Sequence, residues 1–468
     1  MNSTQLHSRY NPQVEAVRYI NSLNLKDDIK CFILIEPGLG YMIPVLREKF
    51  KDSRIISLHV EDHGEAEQAD FSLICENHAQ IQVFLESHIE HDAEHIKIIE
   101  WRPSLDHYME TYADILCEVV KFIKRIEAGK RTQAVFGKRW VKNFFKNLNN
   151  VNASLLYKQT SIPVIVAGSG PGLENCMPVI KKAQDTCLII AASSSLLALQ
   201  AGGVDSANID IVIATDGGNW ALFHLYPFFR AKSTALALNL CAALPSQARQ
   251  NPMLLINDGS YWQSIILHEL ALPSVIIGQR GTVTATALEL ALALSSAEIL
   301  LAGMDFAVHD IRTHAKPYSF DTIFFNKANR LEPCYSQIYA RSSLLKDGGS
   351  LDIYAQWFKT HKEKWQDRVY SIGTHNIFNE ADESLMQKIF SYQADNRKKD
   401  CLKAMNCENS KEFRKRGAEA LFSALEDPKY SQNVKQELNT LLFPNAQNVT
   451  ESDLKNAVMR AAGLSHHE

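Results

Sequence analysis

The chain has 468 residues, 46% of them hydrophobic and 22% charged, with a formal net charge of −4. That length suits two or three domains with a sizeable core, and the charge balance gives no ground for a nucleic-acid partner. The polar start MNSTQLHSRY lacks a secretory hydrophobic region. The nine cysteines form no Cys-x-x-Cys pair, and the longest apolar stretch, Thr282–Met304, carries Glu289 and Glu298. These features argue against a membrane span and structural zinc, and for reduced thiols and a cytoplasmic location.

Residues 1–104 read as a small α/β domain. A helix over Pro12–Leu23 leads to a strand at Cys31–Ile35 and the turn Glu36-Pro37-Gly38-Leu39-Gly40-Tyr41. A helix over Ile43–Phe50 and a second strand, Ile55–Val60, follow, ending at Glu61-Asp62. The order is that of a nucleotide-binding βαβ unit, although Gly38 and Gly40 equally suit a plain tight turn. His59 and His63 lie four apart beside Glu61 and Asp62, but a strand followed by a turn gives no helical metal face.

Residues 105–150 read as a helical connector, with a helix over Tyr108–Ile126, a break at Gly129 and a basic helix over Thr132–Leu148. Trp140, Phe144 and Phe145 alternate there with Lys138, Arg139, Lys142 and Lys146. A nucleic-acid face has that composition. So does a helix that packs its apolar stripe and solvates its lysines, and that plainer reading is preferred.

Residues 151–381 alternate between strands and helices. Strands are expected at Pro163–Ala167, Cys187–Ala192, Ile209–Ala214, Ala235–Leu240, Met253–Ile256, Ser274–Ile277, Glu298–Ala302 and Arg368–Ser371. Helices are expected at Leu173–Ala183, Ser195–Gln200, Trp220–Arg230, Tyr261–Leu270 and Val283–Leu294. Continuous apolar strands separated by helices predict a doubly wound, mostly parallel, Rossmann-like sheet. Residues 382–468 read as a charged C-terminal helical domain.

Ligands of such sheets bind at the carboxyl ends of the strands. SIPVIVAGSGPGLE, Ser161–Glu174, gives a strand, the turn Gly168-Ser169-Gly170-Pro171-Gly172 and a helix. A glycine turn at a helix N-terminus can hold a phosphate through backbone N–H groups and the helix dipole. A tight βα connection has the same sequence, and the turn lacks the spacing of the dinucleotide fingerprint. Ser193 and Ser194 offer hydroxyls for a base or ribose, or a helix cap. Asp216, in Thr215–Asn219, offers a strand-end carboxylate, or an N-cap. Arg280, Gly281, Thr282 and Thr284 form a second glycine turn before a helix, with a natural phosphate partner in Arg280. Gly303 and Asp305 follow another strand, and the polar stretch Ala307–Asp321 includes His309, His314 and Tyr318. Such a loop over strand ends is where a general base is usually found.

These segments, together with His7-Ser8-Arg9-Tyr10-Asn11-Pro12, Glu15-Ala16, Glu36–Tyr41, Asn143 and Asn147, resemble motility-associated factor (Maf) proteins over about residues 1–380. Maf proteins share a central domain with MptE-like 6-hydroxymethylpterin diphosphokinases. Gly168–Gly172, Gly281–Thr284, Gly303–Phe306 and Tyr318 also resemble the donor site of bacterial sialyltransferases that use CMP-sialic acid. Ala307 stands where those enzymes have a tyrosine, and no histidine near Leu351–Trp357 matches their catalytic one, so His314 is the substitute candidate.

The resemblance implies transfer of a nonulosonic acid, of pseudaminic or legionaminic type, from a CMP donor to flagellin Ser/Thr. Asp216, His314 and Tyr318 would carry the catalysis, with His314 or Asp216 as base. The nucleotide sugar is then a substrate and no further cofactor is required. The competing reading is an ATP-dependent pterin diphosphokinase with Mg²⁺ on Asp216 and Asp305. A third is a flagellin-binding factor without catalysis.

Overall fold

The computed structural model describes residues 6–464 apart from 65–67, 90–92, 152, 231–233, 279–280, 345–349, 366, 374, 376, 394–400, 408–411 and 447. Its internal contacts divide the chain into two units, Met1–Thr132 and Gln133–Glu468.

The N-terminal unit is built on a parallel sheet of four strands in the order β3-β2-β1-β4. These are β1 (Cys31–Ile35), β2 (Arg54–His59), β3 (Phe71–Ile74) and β4 (Ile96–Glu100). Side chains alternate between faces along a strand. Cys31, Ile33 and Ile35 therefore pack with Leu85 and Tyr112, while Phe32 and Leu34 pack with Ile20 and Leu46. Helices α1 (Pro12–Ser22), α2 (Met42–Lys49) and α3 (His78–His88) supply these partners together with the long helix α4 (Arg102–Leu148), which is kinked at Met109. Gly129 does not break α4, contrary to the sequence expectation. It lies inside the helix with open space where a Cβ would stand. One glycine costs a helix only about 1 kcal/mol, which the tertiary packing of Tyr112–Phe122 and Val141–Leu148 outweighs. The unit boundary falls within α4, between Thr132 and Gln133.

The C-terminal unit holds a ten-stranded sheet, ordered β13-β12-β6-β7-β8-β9-β10-β5-β14 with β11 also paired to β10. The strands are β5 (Ala153–Tyr157), β6 (Val164–Ala167), β7 (Leu188–Ala192), β8 (Ile211–Ala214), β9 (Ala235–Asn239), β10 (Met253–Asn257), β11 (Ser274–Ile276), β12 (Ile299–Ala302), β13 (Val369–Ser371) and β14 (Leu402–Asn406). Their pairings are parallel except that of β14 with β5. Ile165, Ile189, Val212, Leu236 and Leu255 face one core, and Val164, Ile190, Ile213, Ala237 and Ile256 face the other. Both faces are covered, which is why these strands read as continuous apolar runs.

Helices α5 (Leu173–Ala183), α6 (Leu196–Ala201) and α7 (Tyr261–Glu269) cover the first face, and α8 (Val283–Leu294) the second. The segment 382–468, expected as a separate helical domain, is joined to this unit. Its helices Phe413–Glu426, Ser431–Leu442 and Glu451–Ala462 pack into the first core, and β14 extends the sheet. The expected α-helix Trp220–Arg230 winds instead as a 3₁₀ helix, Asn219–Arg230. Trp220, Phe223 and Tyr226 recur every third residue, so three residues per turn stacks their rings on one side. Among the described residues no helix is long and apolar enough to cross a membrane.

Candidate functional site

Strand order reverses at β6. The chain runs outward from it through β7, β8, β9 and β10, then returns to its other side as β12. The crevice at the carboxyl ends of β6 and β12 is the position where open α/β sheets take ligands. It joins Gly168–Gly172 to Gly303–Asp305. The Gly168 N–H donates to Ala302 O at 2.8 Å and the Gly170 N–H to Gly303 O at 2.7 Å.

The anion that this turn receives belongs to the chain itself. Asp305 Oδ2 accepts the Gly172 N–H at 2.9 Å. A Cβ on Gly170 would stand 2.0 Å from Asp305 Oδ2, and one on Gly172 would stand 2.2 Å from Oδ1. The glycines at 170 and 172 therefore admit a carboxylate to the start of α5, where the sequence suggested a phosphate. Gly303 has φ 61°, and a Cβ there would meet Leu173 Cβ at 2.5 Å. Ser169 and Pro171 lie in the same turn. Cys176, one turn into α5, is not an available nucleophile, since burial pushes its thiol up to about 11.

The polar loop after Asp305 is strapped back onto the turn. The Ala315 N–H donates to Ser169 O at 2.8 Å. Glu174 Oε1 receives Arg312 at 2.7 Å and the Lys316 N–H at 2.9 Å. His309 Nε2 lies 3.8 Å from Asp305 Oδ1. The loop brings His314 and Tyr318 together, with rings stacked at 4.0 Å. His314 Nδ1 meets Thr313 Oγ1 at 2.8 Å, and Tyr318 is buried. Sequence reasoning missed His224, whose Nδ1 lies 2.5 Å from Ser319 Oγ and whose ring is 5.5 Å from Tyr318. Its only sequence signal is its place between Phe223 and Leu225, just beyond Asp216.

Asp216 is exposed after β8, and its Oδ1 accepts the Gly218 N–H at 2.7 Å. That bond shapes the turn and leaves Oδ2 for a ligand. The turn is fixed from below by α4. Asn143 Nδ2 donates to Gly217 O at 3.3 Å and Cys241 O at 3.0 Å. Asn147 Nδ2 donates to Leu240 O at 2.9 Å and Ala242 O at 2.8 Å. A Cβ on Gly217 would stand 2.3 Å from the Trp140 ring. The basic tryptophan helix thus holds strand ends in place, as the plainer reading of that segment has it.

Ser193 is buried and Ser194 half-buried in a 3₁₀ turn after β7. Arg280 lies outside the described residues. Beyond it, Gly281 has φ 74°, and Thr282 leads into α8 without capping it by its own side chain. Thr282 Oγ1 and Thr284 Oγ1 lie 3.0 Å apart. The start of α8 thus presents backbone N–H groups and two hydroxyls at the rim. Among the described residues, one cluster of three side chains is close enough to share a metal ion, Glu36, His59 and His63. It lies in the N-terminal unit and includes neither Asp216 nor Asp305.

Residues 138–310 match the family described as 6-hydroxymethylpterin diphosphokinase MptE-like. The matched segment is the central part of the chain. The match takes in the last turns of α4, both glycine turns, Asp216 and Asp305, and it ends within the polar loop. A protein of Treponema pallidum (strain Nichols), described as uncharacterized, is 28% identical over 279 residues. That similarity covers 59% of this chain and 60% of the relative's length. A solved structure of the MAf glycosyltransferase from Magnetospirillum magneticum AMB-1 is similar at 13% identity and a TM-score of 0.49. It covers 96% of this chain and 77% of that one.

Proposed function

We propose that the chain is a glycosyltransferase of the motility-associated factor type. It transfers a nonulosonic acid of pseudaminic or legionaminic type from a CMP donor to Ser/Thr hydroxyls of flagellin in the cytoplasm. The observation that carries this reading is the built rim of the sheet. A polar loop is fastened over the β6–β12 crevice and holds His314 against Tyr318. The start of α8, which follows β11, lacks a side-chain cap.

The donor phosphate is assigned to the N-terminus of α8, because Asp305 already holds that of α5. Gly281 allows close backbone approach, and Thr282 and Thr284 add hydroxyl donors. Arg280 is the expected cation beside them. In the transfer, the acceptor oxygen attacks the anomeric carbon and the bond from that carbon to the phosphate oxygen breaks. CMP leaves with the electron pair, and the hydroxyl proton passes to His314 or Asp216 as base. Fixed N–H donors stabilise the charge that develops on the leaving phosphate. Ser193 and Ser194 are assigned to the nucleoside hydroxyls, joined by the free oxygen of Asp216 when His314 is the base.

The family description favours a second reading, pterin diphosphate formation from ATP with Mg²⁺ on Asp216 and Asp305. The engagement of Asp305 with the Gly172 N–H weighs against it. Calorimetry on the full chain with CMP, CTP and ATP, each with and without Mg²⁺, separates the readings. Metal-free CMP binding is expected. Mg²⁺-dependent ATP binding in its place would overturn the transferase, and no nucleotide binding at all would favour a flagellin-binding factor.

A further inference from the structure

The carboxyl edge of the N-terminal sheet gathers three side chains that the sequence keeps apart. Glu36 follows β1, His59 ends β2 and His63 lies in the turn beyond it. Strands β1 and β2 are parallel neighbours with Ile35 opposite Leu58, so the residues that follow them share one edge. Glu36 is fully buried with φ 43°, a left-handed backbone uncommon outside glycine. Its N–H donates to Leu58 O at 2.7 Å. Its Oε2 accepts the Val60 N–H at 2.5 Å. Its Oε1 lies 2.5 Å from His63 Nε2 and accepts the Gly38 N–H at 3.3 Å.

His59 supplies an independent observation. Its Nε2 is 2.9 Å from Ser57 Oγ, which is itself 2.7 Å from Ser72 Oγ. Its Nδ1 is buried and has no hydrogen-bond partner, although the residue is only 9% exposed. Glu36 Oε1 is 3.9 Å from that nitrogen, too far for a hydrogen bond. With Nε2 donating to the serine hydroxyl, Nδ1 would be left with its lone pair, 3.9 Å from Glu36 Oε1. Histidine ligands of metals have this arrangement, one ring nitrogen on the ion and the other on an outer hydrogen-bond partner.

We propose that Glu36, His59 and His63 form a site for a divalent ion of the zinc class, with a coordination position left open for water or a ligand. The three ligand atoms all lie within 4.8 Å of one another. Bonds of about 2.0–2.1 Å in tetrahedral geometry separate ligand atoms by about 3.3 Å. The observed 2.5 and 3.9 Å straddle that value, so an ion entering between Glu36 and His63 would even out the distances and satisfy Nδ1. Two imidazoles and one carboxylate suit zinc, whereas magnesium and calcium prefer all-oxygen sets. The turn after β2 brings His63 back over the edge, and the third ligand comes from the residue after β1 rather than from Glu61 or Asp62. The helical spacing that the sequence lacks is therefore not needed.

The test is zinc binding by the full chain, stripped with EDTA and titrated against a chromophoric chelator, with cobalt(II) as a spectroscopic probe. About one equivalent is expected to bind. His59→Gln and His63→Gln should each weaken binding about a hundredfold or more while the circular dichroism stays unchanged. Ser57→Ala should weaken it about 10–100-fold through lost orientation of His59. The cobalt form should show d–d absorption without a thiolate charge-transfer band, a readout on the wild-type chain that needs no variant to fold. Failure to bind zinc, equal binding by the His59→Gln and His63→Gln chains, or a thiolate band would each overturn the proposal.

Discussion

At the scale of single residues, the Asp305 carboxylate decides how the GSGPG turn is used. Its oxygens lie where a Cβ on Gly170 or Gly172 would have to go. Gly170→Ala should therefore destabilise the chain by about 1–3 kcal/mol, as other overpacked sites do. Placing it in an Asp305→Gly background should remove most of that cost, a non-additivity that a double-mutant cycle of urea melts measures. Additive losses would detach the glycines from Asp305. For the chemistry, His314→Gln should lower kcat about 10²–10⁴-fold with donor affinity little changed. A kcat that survives it passes the base role to Asp216, tested by Asp216→Asn. Strand-end carboxylates, glycines and a polar loop were legible in the sequence as a set. The capture of Asp305 by Gly172 was not, because it joins residues far apart along the chain through the β6–β12 pairing.

At the scale of elements, the sequence signal follows burial. Strands β6 to β10 and β12 are buried along nearly their whole length and were read within a residue or two. Strand β3 alternates between half-buried and exposed positions, β4 buries only Ile99 fully, and β14 is mostly exposed, so none of these is a continuous buried run. The pairing of β14 with β5 brings Leu402 opposite Tyr157, a register no local pattern specifies. Two elements carry direct tests. Thr282→Val and Thr284→Val at the start of α8 should each weaken CMP binding about tenfold or more, since a hydrogen bond to a charged group contributes about 1.5–3 kcal/mol. Unchanged affinity in both would move the phosphate elsewhere. Asn147→Leu should leave the carbonyls of Leu240 and Ala242 without their side-chain donor in a buried place. A loss of about 1–3 kcal/mol in a chemical melt is expected.

At the scale of the molecule, the C-terminal helices belong to the sheet unit, and one half-buried carboxylate helps to fasten them. Glu437, on the helix Ser431–Leu442, accepts the Tyr261 and Trp262 N–H groups at 3.0 Å each, capping α7. Burial pushes its carboxyl above the ordinary glutamate range, with the two N–H groups pulling back and Asp258 adding to the rise. The native state thus holds the proton more tightly than the unfolded chain. Stability from this group declines as pH rises from the ordinary glutamate value through the raised one. Relative to Glu437→Gln, the wild-type melting temperature should therefore gain as pH falls from neutral toward the ordinary glutamate range. A constant difference across that window would remove Glu437 as the source. The charged pattern of residues 382–468 does not specify their partners, and only the core they share with the sheet shows where their apolar faces go.

The central claim is the proposal that the rim of the sheet in residues 138–310 takes a cytidine monophosphate donor without metal. Calorimetric titration of the full chain with CMP in the presence of EDTA tests it most directly. Binding that Thr282→Val weakens and that added Mg²⁺ does not strengthen is expected. No CMP binding, together with ATP binding that requires Mg²⁺, would contradict it.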